Sequence, residues 1–165
     1  MKLPESIEQE RAIHANKIVK KRFGEGKKQS DAKAYRTLVT GLPTFVRECG
    51  LLQMLHFYLA KRKDHHLAVL QDLFDWLKIS DQTSFLIGSL PNPKFEDDKN
   101  GIYQRFIEEI LKLDSATIIQ LETEIVAVAD WMKRAVEGRW QEMKIEVKDH
   151  KAVGHTGNEL ETKDA

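Results

Sequence analysis

Between residues 118 and 135 the apolar side chains Ile118, Leu121, Ile125, Val128, Met132 and Ala135 recur at alternating steps of three and four. That spacing draws one continuous seam along about five turns of helix. A seam of this length has to be covered by other helices, so it commits the chain to a multi-helix body. No competing sheet signal exists: there is no alternating run of β-branched residues bounded by turns. The 165 residues fit one domain with a substantial core, and 41% hydrophobic against 32% charged residues describes a folded chain.

The rest of the chain supplies the covering helices. A first helix is expected over residues 5–23, with Ser6 and Gln9 as a capping box and Ala12, Ala15, Val19 and Phe23 as its apolar stripe. A glycine loop at 24–26 follows. Ser30 or Asp31 can cap a second helix that ends at 38–40, and Pro43 suits the first turn of a short one stopping at Gly50. Residues 51–63 read as an apolar helix at the centre of the bundle. Asp64 can cap the next, with Leu67, Leu70, Leu73, Phe74 and Leu77 inward and Asp72 and Asp75 outward. A short helix is expected from Ser80 or Asp81 to Leu90, a loop over 91–100, and a helix over 101–113. The long C-terminal helix follows an Asp114 or Ser115 cap. The expectation is an all-α, single compact bundle of about six helices: a helical domain over 1–147 and a polar, disordered tail over 148–165.

Several function classes fall away. No apolar run reaches the ~18–20 residues that cross a bilayer, and the N-terminus turns polar too soon for a secretory signal. A lone cysteine, Cys49, excludes an intramolecular disulfide and fits a reducing, cytoplasmic setting; it reads as a small buried hydrophobe. Asp64, His65 and His66 spell a triplet known from phosphoesterases, but adjacent histidines on a helix diverge and no further ligands accompany them. His14 and His56 stand alone, and His56, between Leu55 and Phe57, reads as a satisfied contact histidine. Glu108 with Glu109 and Asp72 with Asp75 are the best carboxylate pairs, without environments that would split their pKa values. With no phosphate loop, nucleophile elbow or metal set, no enzyme and no cofactor are expected.

Charge is more informative. The net charge is zero, yet residues 1–63 carry 14 Lys+Arg against 6 Asp+Glu, or +8, and residues 64–165 carry 12 against 20, or −8. Such a split points to a polyanion, a partner protein or head-to-tail self-association. Lys17, Lys20 and Lys21 fall within about 100° of helical arc, opposite the apolar stripe. Lys27 and Lys28 extend the cluster, Lys61, Arg62 and Lys63 form another, and Lys133 and Arg134 flank the last helix. Lysines in clusters neutralise phosphates without reading bases. Aromatic stacking motifs are absent, which leaves backbone contact.

The order of short motifs resembles a known family. Tyr35, Leu42–Pro43, Gly50–Leu51, Gln53, Phe57 and Lys61, then Trp76–Leu77, then YQRFIEEILKL, then Trp131 with Lys133 and Arg134, resemble the small α-helical subunit of type III-B CRISPR effectors, the Cmr complexes. The resemblance covers residues 10–137. Cys49 departs from a polar residue, Met54 and His56 replace a smaller, more apolar pair, and Ala135 stands where an aromatic is common.

The resemblance implies a non-catalytic subunit that stacks in several copies along a guide-RNA-bound filament, beside other Cmr subunits and the target RNA. In that family RNA cleavage belongs to the repeated backbone subunit, and DNA cleavage and cyclic-nucleotide synthesis to the large one. RNA contact is expected at Lys17, Lys20, Lys21, Lys61, Lys133 and Arg134. The alternatives are the type III-A small subunit and a helical protein–protein adapter. A helix-turn-helix reader would need a less apolar helix after Gly50.

Overall fold

The computed structural model describes residues 6–88, 90, 94, 95 and 102–155, and among them every regular element is a helix. In chain order these are α1 (Ile7–Arg22), α2 (Gln29–Cys49), α3 (Leu51–Lys61), α4 (Asp64–Ile79), α5 (Ile102–Leu111) and α6 (Ser115–His155). The all-α reading, with its long C-terminal helix, is what the chain forms.

α1 begins at the expected capping box. The Ser6 hydroxyl accepts from the Gln9 amide at 3.3 Å, and Gln9 Oε1 accepts from the Ser6 amide at 2.7 Å. Asp114 caps α6 in the same way, accepting from the Thr117 amide at 2.8 Å. Along α6 the seam is buried at Leu121, Ile125, Val128 and Met132, then drifts to Val136 and Trp140 as 3.6 residues per turn requires. Helical backbone continues to His155, past the expected domain boundary at 147.

Two expected helices are one. α2 runs straight through Pro43, although proline there withholds one helix hydrogen bond. Packing outweighs that loss: Tyr35, Val39, Leu42, Pro43 and Val46 are all buried on one face. α2 lies antiparallel to α6, since Arg36 meets Glu137, Arg47 meets Asp130 and the Leu51 amide meets Glu122. Gly50, at φ 82°, ends α2 and opens α3 in a single residue. Only glycine takes that conformation without strain.

The centre of the bundle is α4, not α3. α4 buries residues on most of its circumference, from His66 and Ala68 to Trp76 and Leu77. α3 buries only Leu51, Met54, Leu55 and Tyr58, and turns Gln53, His56, Phe57 and Lys61 outward. The short helix expected after Ser80 is a series of turns, held by Ser84 N to Ser80 O at 2.8 Å and Thr83 Oγ1 to Leu77 O at 2.8 Å. Most of the expected loop over 91–100 lies outside the described residues, but Phe95 is fully buried between Phe74 and Phe106.

Candidate nucleic-acid interface

Asp72 was expected on the wet face of α4. It is 2% exposed and anchors a three-helix junction. Arg22 Nε donates to it at 2.8 Å, Tyr35 Oη at 2.7 Å and Lys21 Nζ at 3.3 Å. Burial and the neighbouring Asp72 charge hold the Tyr35 phenol well above its ordinary pKa, so it stays a donor. One turn on, Trp76 Nε1 donates at 2.8 Å to Glu124, itself 5% exposed and clamped by two nitrogens of Arg11 at 3.0 and 2.6 Å. His14 fits between them, donating to the Asp72 carbonyl at 2.9 Å; burial lowers its pKa.

Four ion pairs take up about half of the charge split. Arg11 with Glu124, Arg22 with Asp72, Arg36 with Glu137 and Arg47 with Asp130 each join a base from residues 1–63 to an acid from 64–165. The asymmetry is in good part complementarity inside one molecule. Arg11 and Arg22 are consumed inward, while Arg36 and Arg47 pair nearer the surface. Lys17, Lys20, Lys27, Lys28, Lys61 and Lys63 are exposed and have no ion pair among the described residues.

The sites expected to touch RNA divide into three places. Lys20 and Lys21 lie at the end of α1, where Lys21, Lys27 and Lys63 line a cleft of about 520 Å³ together with His65, Asp31 and Asp64. Lys17 borders a smaller hollow of about 230 Å³, with Ile13, Trp76 and Ile79. Lys61 leans over the Phe57 ring, its Nζ 5.5 Å from the centroid. Lys133 is half-buried and helps hold the Glu137 carboxyl low, after Arg36 and Thr40. Arg134 covers the Trp131 ring at 5.4 Å, and Trp131 in turn donates to Glu8 in the first turn of α1. Glu8 and Lys20 are about 18 Å apart along α1 by helical rise, so Lys133 and Arg134 do not extend the lysine cluster.

Two outward residues were missed. His56 is exposed, with Nδ1 donating to the Leu52 carbonyl at 2.7 Å, because it faces away from α2 and α4. Phe57 is 44% exposed beside it. The spacing of Gln53, Phe57 and Lys61, four apart, was the available signal for a shared face. No group of three or more His, Cys, Asp or Glu among the described residues is placed to hold a metal. No described helix is long and apolar enough to cross a membrane.

No curated protein matches the chain. The profile of one protein family does, over residues 7–139, which takes in α1 to α5 and most of the packed length of α6. With a match of that extent, the chain belongs to the CRISPR-associated protein (Cas_Cmr5) family.

Proposed function

We propose that this chain is a non-catalytic structural subunit of a type III-B CRISPR ribonucleoprotein, in which several copies stack along the path of guide and target RNA and contact its backbone. Membership of the Cmr5 family supports the type III-B role and association with other Cmr subunits. The observation that carries RNA contact is the sorting of cations: Arg11, Arg22, Arg36 and Arg47 are held by carboxylates, whereas Lys20, Lys27, Lys28 and Lys63, around the end of α1 and the start of α4, are exposed without an ion pair among the described residues. Lysine is a solvated point charge suited to sequence-independent phosphate contact.

Stacking is supported by how the two ends differ. Lys63 precedes α4, whereas Ile79 closes it, and exposed Ile79, Phe85 and Ile119 share the far end with Asp81. A basic end and an apolar, acidic end favour a heterologous head-to-tail contact, which builds filaments.

Reconstitution tests the reading. The chain is co-expressed with the backbone and large subunits and a guide RNA, and particles purified through another subunit are crosslinked to target RNA. Several copies per particle, with crosslinks in residues 17–28 or at Lys133 and Arg134, are expected. Incorporation without any crosslink on this chain would remove RNA contact and keep the subunit role. Failure to incorporate would favour an unrelated adapter, or the type III-A assembly if that particle takes it up.

A further inference from the structure

α3 presents to solvent a strip that the core does not use. Gln53, Phe57 and Lys61 stand at successive four-residue steps, with His56 and Ala60 beside them, and all are exposed. A single surface phenylalanine needs no explanation. Phe57 differs because its ring is braced. Phe45 meets it edge-on at 5.5 Å, Tyr58 lies at 6.0 Å and His66 at 6.2 Å, yet the side chain remains 44% exposed. Lys61 holds its ammonium over the ring at 5.5 Å.

Along α3 itself the charge is one-sided. The α3 sequence LLQMLHFYLAK contains no carboxylate, and the helix runs into exposed Lys61, Arg62 and Lys63. Glu48 before it and Asp64 after it are the nearest acids in sequence. A protein partner anchored on Phe57 would want apolar surroundings for a hot spot. Here the exposed neighbours are an amide, an imidazole, a methyl and an ammonium. A nucleobase needs only one aromatic face, with cations nearby for the phosphates.

We propose that Phe57 is a stacking platform for a base of single-stranded RNA, with Lys61 and Lys63 engaging the adjoining phosphates. This rests on the RNA-contact reading above and adds to it, since the lysine clusters by themselves supply backbone contact only. Lys61 covers the ring in the free protein and swings onto a phosphate when the base arrives. Stacking is indifferent to base identity, so the contact is sequence-tolerant.

The test uses the reconstituted complex and short-wavelength crosslinking to target RNA, with peptides mapped by mass spectrometry. A base crosslink within residues 51–61 is expected. Phe57→Leu, which keeps apolar bulk without the π face, should lower that crosslink roughly tenfold, and Phe57→Tyr should retain it. Equal incorporation of both variants confirms that assembly is intact. Crosslinks confined to residues 17–28, indifferent to Phe57→Leu, would overturn the platform and leave RNA contact standing. No crosslink anywhere on an incorporated chain would overturn both. Loss of incorporation with Phe57→Leu would overturn the platform in favour of a protein contact.

Discussion

At the scale of single residues, the buried carboxylates decide how the helices meet. Asp72 gives up its hydration and regains donors from Arg22, Lys21 and Tyr35. Replacing it removes the buried carboxylate on which Arg22, Lys21 and Tyr35 converge. Asp72→Asn should therefore cost about 3–5 kcal/mol of unfolding free energy, read from urea denaturation. A loss under about 1 kcal/mol would mean that Arg22 finds another partner. Two histidines set the pH response. Burial is the leading cause of the lowered pKa of both His14 and His66. Each binds a proton more readily unfolded, near its ordinary pKa of about 6.5. Their contribution is thus present above the ordinary pKa of about 6.5 and is lost as pH falls from there through the lowered folded-state values. Melting temperature should decline over that interval, and His14→Gln, which can still donate to the Asp72 carbonyl, should flatten the decline. An unchanged slope would exclude His14 as its source.

At the scale of elements, the α2–α3 corner depends on one residue. Gly50 has φ 82°, and a Cβ there would approach Glu122 Oε2 to 3.4 Å, the oxygen that accepts from the Leu51 amide at 2.9 Å. Gly50→Ala should destabilise by about 1–3 kcal/mol, because φ 82° with ψ 165° is a conformation essentially confined to glycine, measurable as a lower urea midpoint. Full stability would require the corner to be rebuilt. This glycine was legible in the sequence, as were the Ser6 box, the Asp114 cap and the α6 seam, because each is a local rule. The single α2 was not. Proline reads locally as a helix start, whereas burial of Leu42, Pro43 and Val46 is a property of the assembled bundle. Composition made α3 look central. Its outward Phe57 shows that an apolar composition does not reveal which face is covered. Asp72 was misjudged by residue type alone: Val69, Asp72 and Trp76, three and four apart, fall on one stripe, and all three are buried.

At the scale of the whole molecule, a +8/−8 division along the chain is not a division in space. Four arginine pairs join its two halves within the molecule, so the exposed lysines say more about a surface than the totals do. The sequence showed which residues were basic, and the packing decided which stayed available. That sorting separates folding from binding. Lys20, Lys27 and Lys28 are exposed without an ion pair among the described residues, so reversing all three to glutamate should change stability by less than about 0.5 kcal/mol per site. If those lysines lie on phosphates, the same variant should lose RNA crosslinks in the assembled particle. The slope of log affinity against log salt should also fall by about 0.7 per lost contact, or about 2 in all. Lys133→Glu with Arg134→Glu probes the other location, beside Trp131 and Glu8. A path along the lysine end predicts that this pair leaves the slope unchanged. The reverse result, with the slope moved by the α6 pair and unmoved by the triple variant, would transfer the RNA path to α6 and leave the lysine end to face a neighbouring subunit.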